Sequence, residues 1–327
     1  DSTQGWLVTD SGLQSEAPGS LYVTATGGTV TCSGDFKIHT FTGPGTFCVS
    51  CAGNSGGNNQ IEYLVVAGGG SGGTENGQSV AGGGGGAGGF RFASPSISPL
   101  TYPAKPLAGS TITVPASAIP ITVGAGGAVA PSSPGRNPGN NSVFSSITSS
   151  PGGGGGFTGG CGASPSPTVN DRSGDAGGSG GGAAHGVTGL PGGAGNSPAV
   201  TPAQGQNGGA ATPGVYLGGG GGGAICAGTR GGNQTGPGGD GGGLPTAFGS
   251  NGVSCGSFRY YAGGGGGGGS TNRPQTGPAG AGGLGGGAAG GAVGGTIAVT
   301  RIDVIDPHVL IMMRDVMSVS ETAPRLK

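Results

Sequence analysis

The hydrophobic pattern of this chain changes character twice. From Leu21 to Val66 it alternates in short runs: Leu21-Tyr-Val-Thr-Ala-Thr26, Thr29-Val-Thr-Cys32, Phe36-Lys-Ile-His-Thr-Phe-Thr42 and Thr46-Phe-Cys-Val-Ser-Cys51. These runs are rich in β-branched and aromatic residues, and Ser33-Gly-Asp35 and Gly43-Pro-Gly45 punctuate them as turns. Ile61-Glu-Tyr-Leu-Val-Val66 is the strongest strand signal. Residues 1–67 are therefore expected to form a small all-β sandwich, an attachment domain, with almost no α-helix in the chain.

Beyond Val66 the alternation stops. Pure glycine runs replace it at Gly82–Gly86, Gly152–Gly156, Gly218–Gly223 and Gly263–Gly269. Apolar clusters return only at intervals, at Ile119–Val123, Val143–Ile147, Val215–Leu217 and Phe258–Tyr261. A long insertion, residues 90–123, carries strand signals of its own at Thr111–Val114 and Ile119–Val123. Residues 296–327 change character again and hold all three methionines. Thr296–Val304 reads as a closing strand. Val309, Leu310, Ile311, Met312 and Met313 form an apolar run expected to serve as a docking segment or subunit contact. That run is far too short to span a membrane. With no secretion signal after Asp1, the chain is expected to be processed or part of something longer.

Composition explains the middle. The chain has 89 glycines in 327 residues, and 78 of them lie in residues 68–295. Such a segment is either a flexible linker or a solid packed from backbone. Glycine-rich tracts usually behave as coils. Here, however, only 25 residues are charged, the net charge is −1, and apolar clusters recur between the tracts. Both features disfavour a disordered chain. Collagen needs glycine at strictly every third position, and Gly177-Gly-Ser-Gly-Gly-Gly182 breaks that period by excess. The remaining reading is a stack of polyglycine II helices, extended left-handed helices with three residues per turn. Without side chains they can approach closely enough to pair every backbone donor and acceptor. Pure runs would then be interior. Interrupted runs such as Gly238-Gly-Asp-Gly-Gly-Gly243 would be peripheral, and Pro/Ser/Thr/Asn-rich turns would join them.

If successive runs alternate up and down, the loops near 74–81, 128–151, 183–188, 210–217 and 244–262 lie at the end away from the β-part. They carry His185, Tyr216, Phe248, Phe258, Arg259 and Tyr260, together with Phe144 and Tyr261. The last two could instead cap the glycine stack. A shift of one run would swap the ends and favour Phe92 and Tyr102 of the insertion. Aromatics and arginine carry most of the energy at binding surfaces.

Catalytic signals are sparse. His39, His185 and His308 are far apart, and His39 reads as a structural residue within a strand. Glycine motifs carry no information in this background, and no lysine completes a phosphate-binding loop. Glycoside hydrolysis needs paired carboxylates; the four glutamates are scattered. No catalytic residue, cofactor or metal site is expected. Cys48-Val-Ser-Cys51 has metal-site spacing, but on a strand the two would face opposite ways. Cys32 with Cys48 or Cys51 is the candidate disulfide, against a reading of all six cysteines as small packing residues. A sequence pI near 6.3 and the lack of a basic patch argue against nucleic acid.

Three stretches carry a resemblance. Gly34-Asp-Phe-Lys-Ile-His-Thr-Phe-Thr-Gly-Pro-Gly-Thr-Phe47, Ile61-Glu-Tyr-Leu-Val-Val-Ala-Gly-Gly-Gly70 and Asn141-Ser-Val-Phe-Ser-Ser-Ile-Thr-Ser149 resemble glycine-rich tail proteins of bacteriophages, especially marine cyanobacterial ones. The resemblance implies a tail-fibre or tail-tip adhesin on the virion. Its relatives in architecture, fibre-tip adhesins of T-even-like phages, stack polyglycine II helices and bind the host with loops. The expected partners are a bacterial surface receptor, glycan or outer-membrane protein, and other fibre proteins. An alternative is a self-assembling extracellular filament whose copies exchange β-strands.

Overall fold

The computed structural model describes residues 20–74, 81–128, 136–157, 169–186, 189–232, 236–270, 277–293 and 309–314. Among them helix is confined to one turn, α1 (Val169–Arg172), and two 3-10 turns at Lys105–Leu107 and Thr246–Phe248. The strands in chain order are β1 (Val23–Thr26), β2 (Thr29–Ser33), β3 (Phe36–Phe41), β4 (Gly45–Ala52), β5 (Glu62–Val66), β6 (Phe90–Ala93), β7 (Ala118–Thr122) and β8 (Ser142–Phe144). They continue with β9 (Ile147–Ser149), β10 (Gly242–Pro245), β11 (Val253–Cys255), β12 (Phe258–Tyr261), β13 (Gly269–Ser270), β14 (Ala292–Val293) and β15 (Val309–Arg314).

Two five-stranded sheets form the β-part, in the orders β1-β4-β7-β8-β9 and β2-β3-β15-β5-β6. Every pairing in them is antiparallel. The alternating sequence explains how they pack. In β1 and β7 the inward side chains are buried and their neighbours exposed, as in a sheet with one wet face. β5 is buried at every position. Its Tyr63 and Val65 face a core shared with Phe47, Ile121 and Phe144, whereas Leu64 and Val66 join Phe90, Phe92, Leu244, Phe248 and Tyr261 on the other side. The apolar Tyr63–Val66 run is thus the signature of a strand covered on both faces. Phe47 and Phe144 are fully buried and meet edge to face at 5.9 Å. Burial of one such ring contributes roughly 1.5–3 kcal/mol. Gly27 joins β1 to β2 at φ +116, where a Cβ would lie 2.1 Å from the Thr46 carbonyl oxygen.

The β-part extends past residue 67. It recruits β6 and β7 from the insertion, β8 and β9 from within the glycine region, and β15 from the C-terminal segment. Thr111–Val114 contributes only a bridge, Ile61 to Ile112. The expected closing strand Thr296–Val304 lies outside the described residues. Val309–Met313, expected as a docking segment, occupies the centre of a sheet in its own chain.

The glycine region is ordered by backbone hydrogen bonds between runs. Residues 81–89 sit at its centre. The N–H groups of Gly83, Gly86 and Gly89 donate to the carbonyls of Gly156, Gly153 and Ser150. Those of Gly84 and Ala87 donate to Gly219 and Gly222. The carbonyls of Gly89, Gly86 and Gly83 accept from Ala67, Gly70 and Gly73. Those of Ala81, Gly84 and Ala87 accept from His185, Gly182 and Ser179, and those of Gly82 and Gly85 from Gly268 and Gly265. The partner run therefore repeats at every third residue. No Cβ fits: one on Gly83, Gly84, Gly85 or Gly86 would lie 2.0, 2.1, 2.1 or 2.3 Å from a carbonyl oxygen. Alanine or serine appears only where a run leaves room, as at Ala87 and Ser179, both fully buried.

Candidate functional site

The hydrogen bonds set which loops share an end. Ala67, Gly89 and Ser150 meet beside the two large sheets, while Ala81 meets His185, and Gly82 meets Gly268, at the opposite end. His185 and Tyr216 lie at that far end. The short run from Gly228 changes the expected arrangement of the later loops. Its Gly228 and Gly231 donate to Asn207 and Ala210, which adds one more reversal before β10. As a result residues 244–262 return to the β-part instead of facing away from it. Phe144 also lies at the β-part, in β8.

Burial then separates the expected binding residues. Phe92, Tyr102 and Phe248 are 1%, 4% and 0% exposed and belong to the core behind β5, which puts them out of reach of a receptor. Phe92 packs on Phe90 and Tyr102, with ring centroids 5.2 and 6.1 Å away. The Tyr102 hydroxyl donates to the Ser94 carbonyl at 3.3 Å. Burial, helped by the negative charge of Glu62, pushes the Tyr102 hydroxyl up to about 12. Tyr261 is held likewise: its hydroxyl donates to the Asn251 carbonyl at 2.7 Å, and burial raises its pKa. Phe258, Arg259 and Tyr260 are half-buried on β12, between β10 and β11. The ring of Tyr260 occupies the space that a Cβ on Gly243 would take.

The pair that remains at the far end is His185 and Tyr216. Their rings stack at 4.3 Å and 15°. The stack is built from both sides. Ala183 and Ala211 pack with Leu190, and the Ala211 N–H donates to the Leu190 carbonyl at 2.9 Å. Gly186 bridges to Pro213, and Gly214 turns the chain at φ +71. Val215 and Leu217 are buried while Tyr216 between them is half-exposed, so the extended run directs Tyr216 outward; His185 beneath it is itself buried, 8% exposed, and backs the Tyr216 ring. The half-exposed Tyr216 ring is a flat aromatic surface, a kind that suits a sugar ring or a planar side chain.

Arg136 is a residue that the sequence did not single out. Its guanidinium pairs with Asp175 at 2.6 Å, donates to the carbonyls of Asp171 and Ser173 at 2.5 and 2.6 Å, and covers the Phe157 ring at 5.4 Å. Its stem fills the space left by Gly154, where a Cβ would meet the Arg136 side chain at 3.0 Å. Arg136 fixes α1 and the segment after it to the glycine run. Glu62 is a second. Its buried carboxylate accepts from the Ser94 hydroxyl at 2.6 Å and from Ser96. In both, the partners are distant in sequence, so no local motif announces them.

Cys32, Cys48 and Cys51, the candidate disulfide set, are free, as are Cys226 and Cys255. Cys32 and Cys48 belong to different sheets. Among the described residues no group of three metal-ligating side chains is present, and no helix is long and apolar enough to cross a membrane.

Two architectures, antiparallel sheets around aromatic and aliphatic cores and glycine runs bonded backbone to backbone, thus define the class: a β-rich, glycine-packed protein with almost no helix among the described residues. The chain belongs to the glycine-rich domain family, whose model matches residues 40–300. It matches no curated protein and no solved structure.

Proposed function

We propose that the glycine region is a stack of polyglycine II helices and that the protein is a structural attachment protein. The single observation that carries this is the three-residue rotation of hydrogen-bond partners around residues 81–89. A three-fold left-handed helix presents each successive residue to a different neighbour. A β-strand would alternate between two. The stack is stiff because its donors and acceptors are paired inside and no side chain intervenes.

On this reading the β-part attaches the protein to a larger assembly and the far end is displayed. The resemblance of the strand words to glycine-rich bacteriophage tail proteins gives the assembly: a tail fibre or tail tip of a virion. The displayed end meets a bacterial surface receptor, a glycan or an outer-membrane protein. Tyr216 supplies the aromatic contact there, held by the buried His185 ring stacked behind it. Chemistry plays no part; the protein works by holding loops still.

The test is binding of the isolated protein to a panel of bacterial cells. His185→Ala with Tyr216→Ala is expected to weaken binding at least about tenfold, or about 1.4 kcal/mol, with the circular dichroism spectrum unchanged. Undiminished binding by the folded double variant overturns this assignment of the binding end.

A further inference from the structure

We propose that the slot between β3 and β5 accepts β15 from a second copy of this chain. The sheet order carries the argument. β2, β3, β5 and β6 all lie between Thr29 and Ala93, yet the strand at the centre of their sheet is the far-removed Val309–Arg314. It is paired along both edges. Leu310 is opposite Thr40 on one side and Leu64 on the other; Ile311 is opposite His39 and Tyr63; Met312 is opposite Ile38 and Glu62.

Neighbouring strands lie about 4.8 Å apart, so without β15 the edges of β3 and β5 stand roughly 9.6 Å from each other. That is too wide to bond directly and sized for one strand. The slot also has a side-chain key. Ile311 is fully buried in the core shared by the two large sheets, with Phe41, Phe47, Tyr63 and Val65. An empty slot leaves two rows of backbone donors and acceptors and a hole in that core.

Residues 294–308 are the connection between β14 and β15. At about 3.3–3.6 Å per residue they can span at most about 50 Å, which is enough to reach a neighbouring molecule. A strand delivered from another copy makes the same hydrogen bonds and the same Ile311 contacts as the chain's own. Which copy delivers it depends on the connection and on concentration, as in any exchange of identical elements. Reciprocal exchange closes a dimer. One-way exchange continues from copy to copy into a filament. This inference is independent of the display reading above; either can fail alone.

The experiment uses the full chain in two preparations, one carrying an affinity tag, denatured together and refolded at high concentration. The expected result is tagged–untagged pairs of doubled mass by light scattering. They should persist when one preparation carries Ile311→Asp and disappear when both do. Monomers alone at every concentration, or pairs that survive Ile311→Asp in both copies, overturn the proposal. Should the variant fail to fold, a chain ending at residue 308 gives a second reading. It is expected to take up a labelled peptide of residues 307–316, and a folded truncated chain that takes up none overturns the proposal.

Discussion

A Cβ placed on Gly85 would lie 2.1 Å from the carbonyl oxygen of Gly70. The obstacle is backbone, in a neighbouring run, and cannot rotate away. Gly85→Ala is therefore expected to cost about 3 kcal/mol or more, the upper end of what overpacking does. Gly291 faces open space within 4 Å, and Gly291→Ala should stay within about 0.5 kcal/mol of the parent. Urea midpoints of the two variants give the comparison. Equal midpoints would mean that the runs do not pack as closely as they stand.

His39 should make stability depend on pH. It is fully buried in β3, with Nδ1 2.7 Å from the Gly27 carbonyl and the ring edge-on to Phe47 at 5.2 Å. Nε2 has no partner among the described residues. Burial lowers its pKa below 6.5; the Gly27 carbonyl opposes this and the charge of Lys37 adds to it. The folded ring is then neutral, with Nδ1–H donating to Gly27. The unfolded state binds the proton more readily, so stability is full above about pH 6.5 and falls as pH drops below that value toward the folded pKa. His39→Gln should flatten this part of the pH profile of the urea midpoint. A parent and variant with parallel profiles would contradict it.

Arg136 should be irreplaceable by lysine. It serves Asp175 and two backbone carbonyls at once, a task that suits a planar fork and not a single ammonium. Arg136→Ala is expected to lose about 2 kcal/mol, and Arg136→Lys most of that. Asp175→Asn should cost less than about 1 kcal/mol, because the carboxylate is partly in water. Differential scanning calorimetry of the three variants would rank them.

Phe248 and Tyr216 should behave as opposites, although the sequence offers them as equivalents. Phe248 is fully buried against the β-part, so Phe248→Ala should cost about 3–5 kcal/mol. Tyr216 is half-exposed, and Tyr216→Ala should cost about 1 kcal/mol or less. Thermal melts of both variants decide it; a larger loss from the Tyr216 change would place that ring in the core.

The local elements were legible. Alternation found the strands at 23–52, and Ile61–Val66 stood out as the strongest strand, though not as one buried on both faces. Glycine content marked where backbone would pack on backbone. The rest depends on long-range partners. Nothing local says that Ile311 completes the sheet of His39 and Tyr63. Nothing in a short run such as that from Gly228 reveals whether it reverses the chain, yet that one reversal brings residues 244–262 back to the β-part and takes Phe248 out of the candidate site. A polar-flanked apolar run looks the same whether it docks on a partner or closes its own sheet, which is why Val309–Met313 could be singled out but not placed.

Whether the glycine runs are a packed solid or a linker is decided by amide hydrogen exchange at residues 81–89. In the packed stack the N–H groups of Gly83, Gly84, Gly86 and Ala87 are bonded to neighbouring runs and open only with the fold. The expected result is protection close to that of β5, lost together with it in Gly85→Ala. Exchange at the rate of an unstructured glycine peptide, while β5 stays protected, would contradict the account.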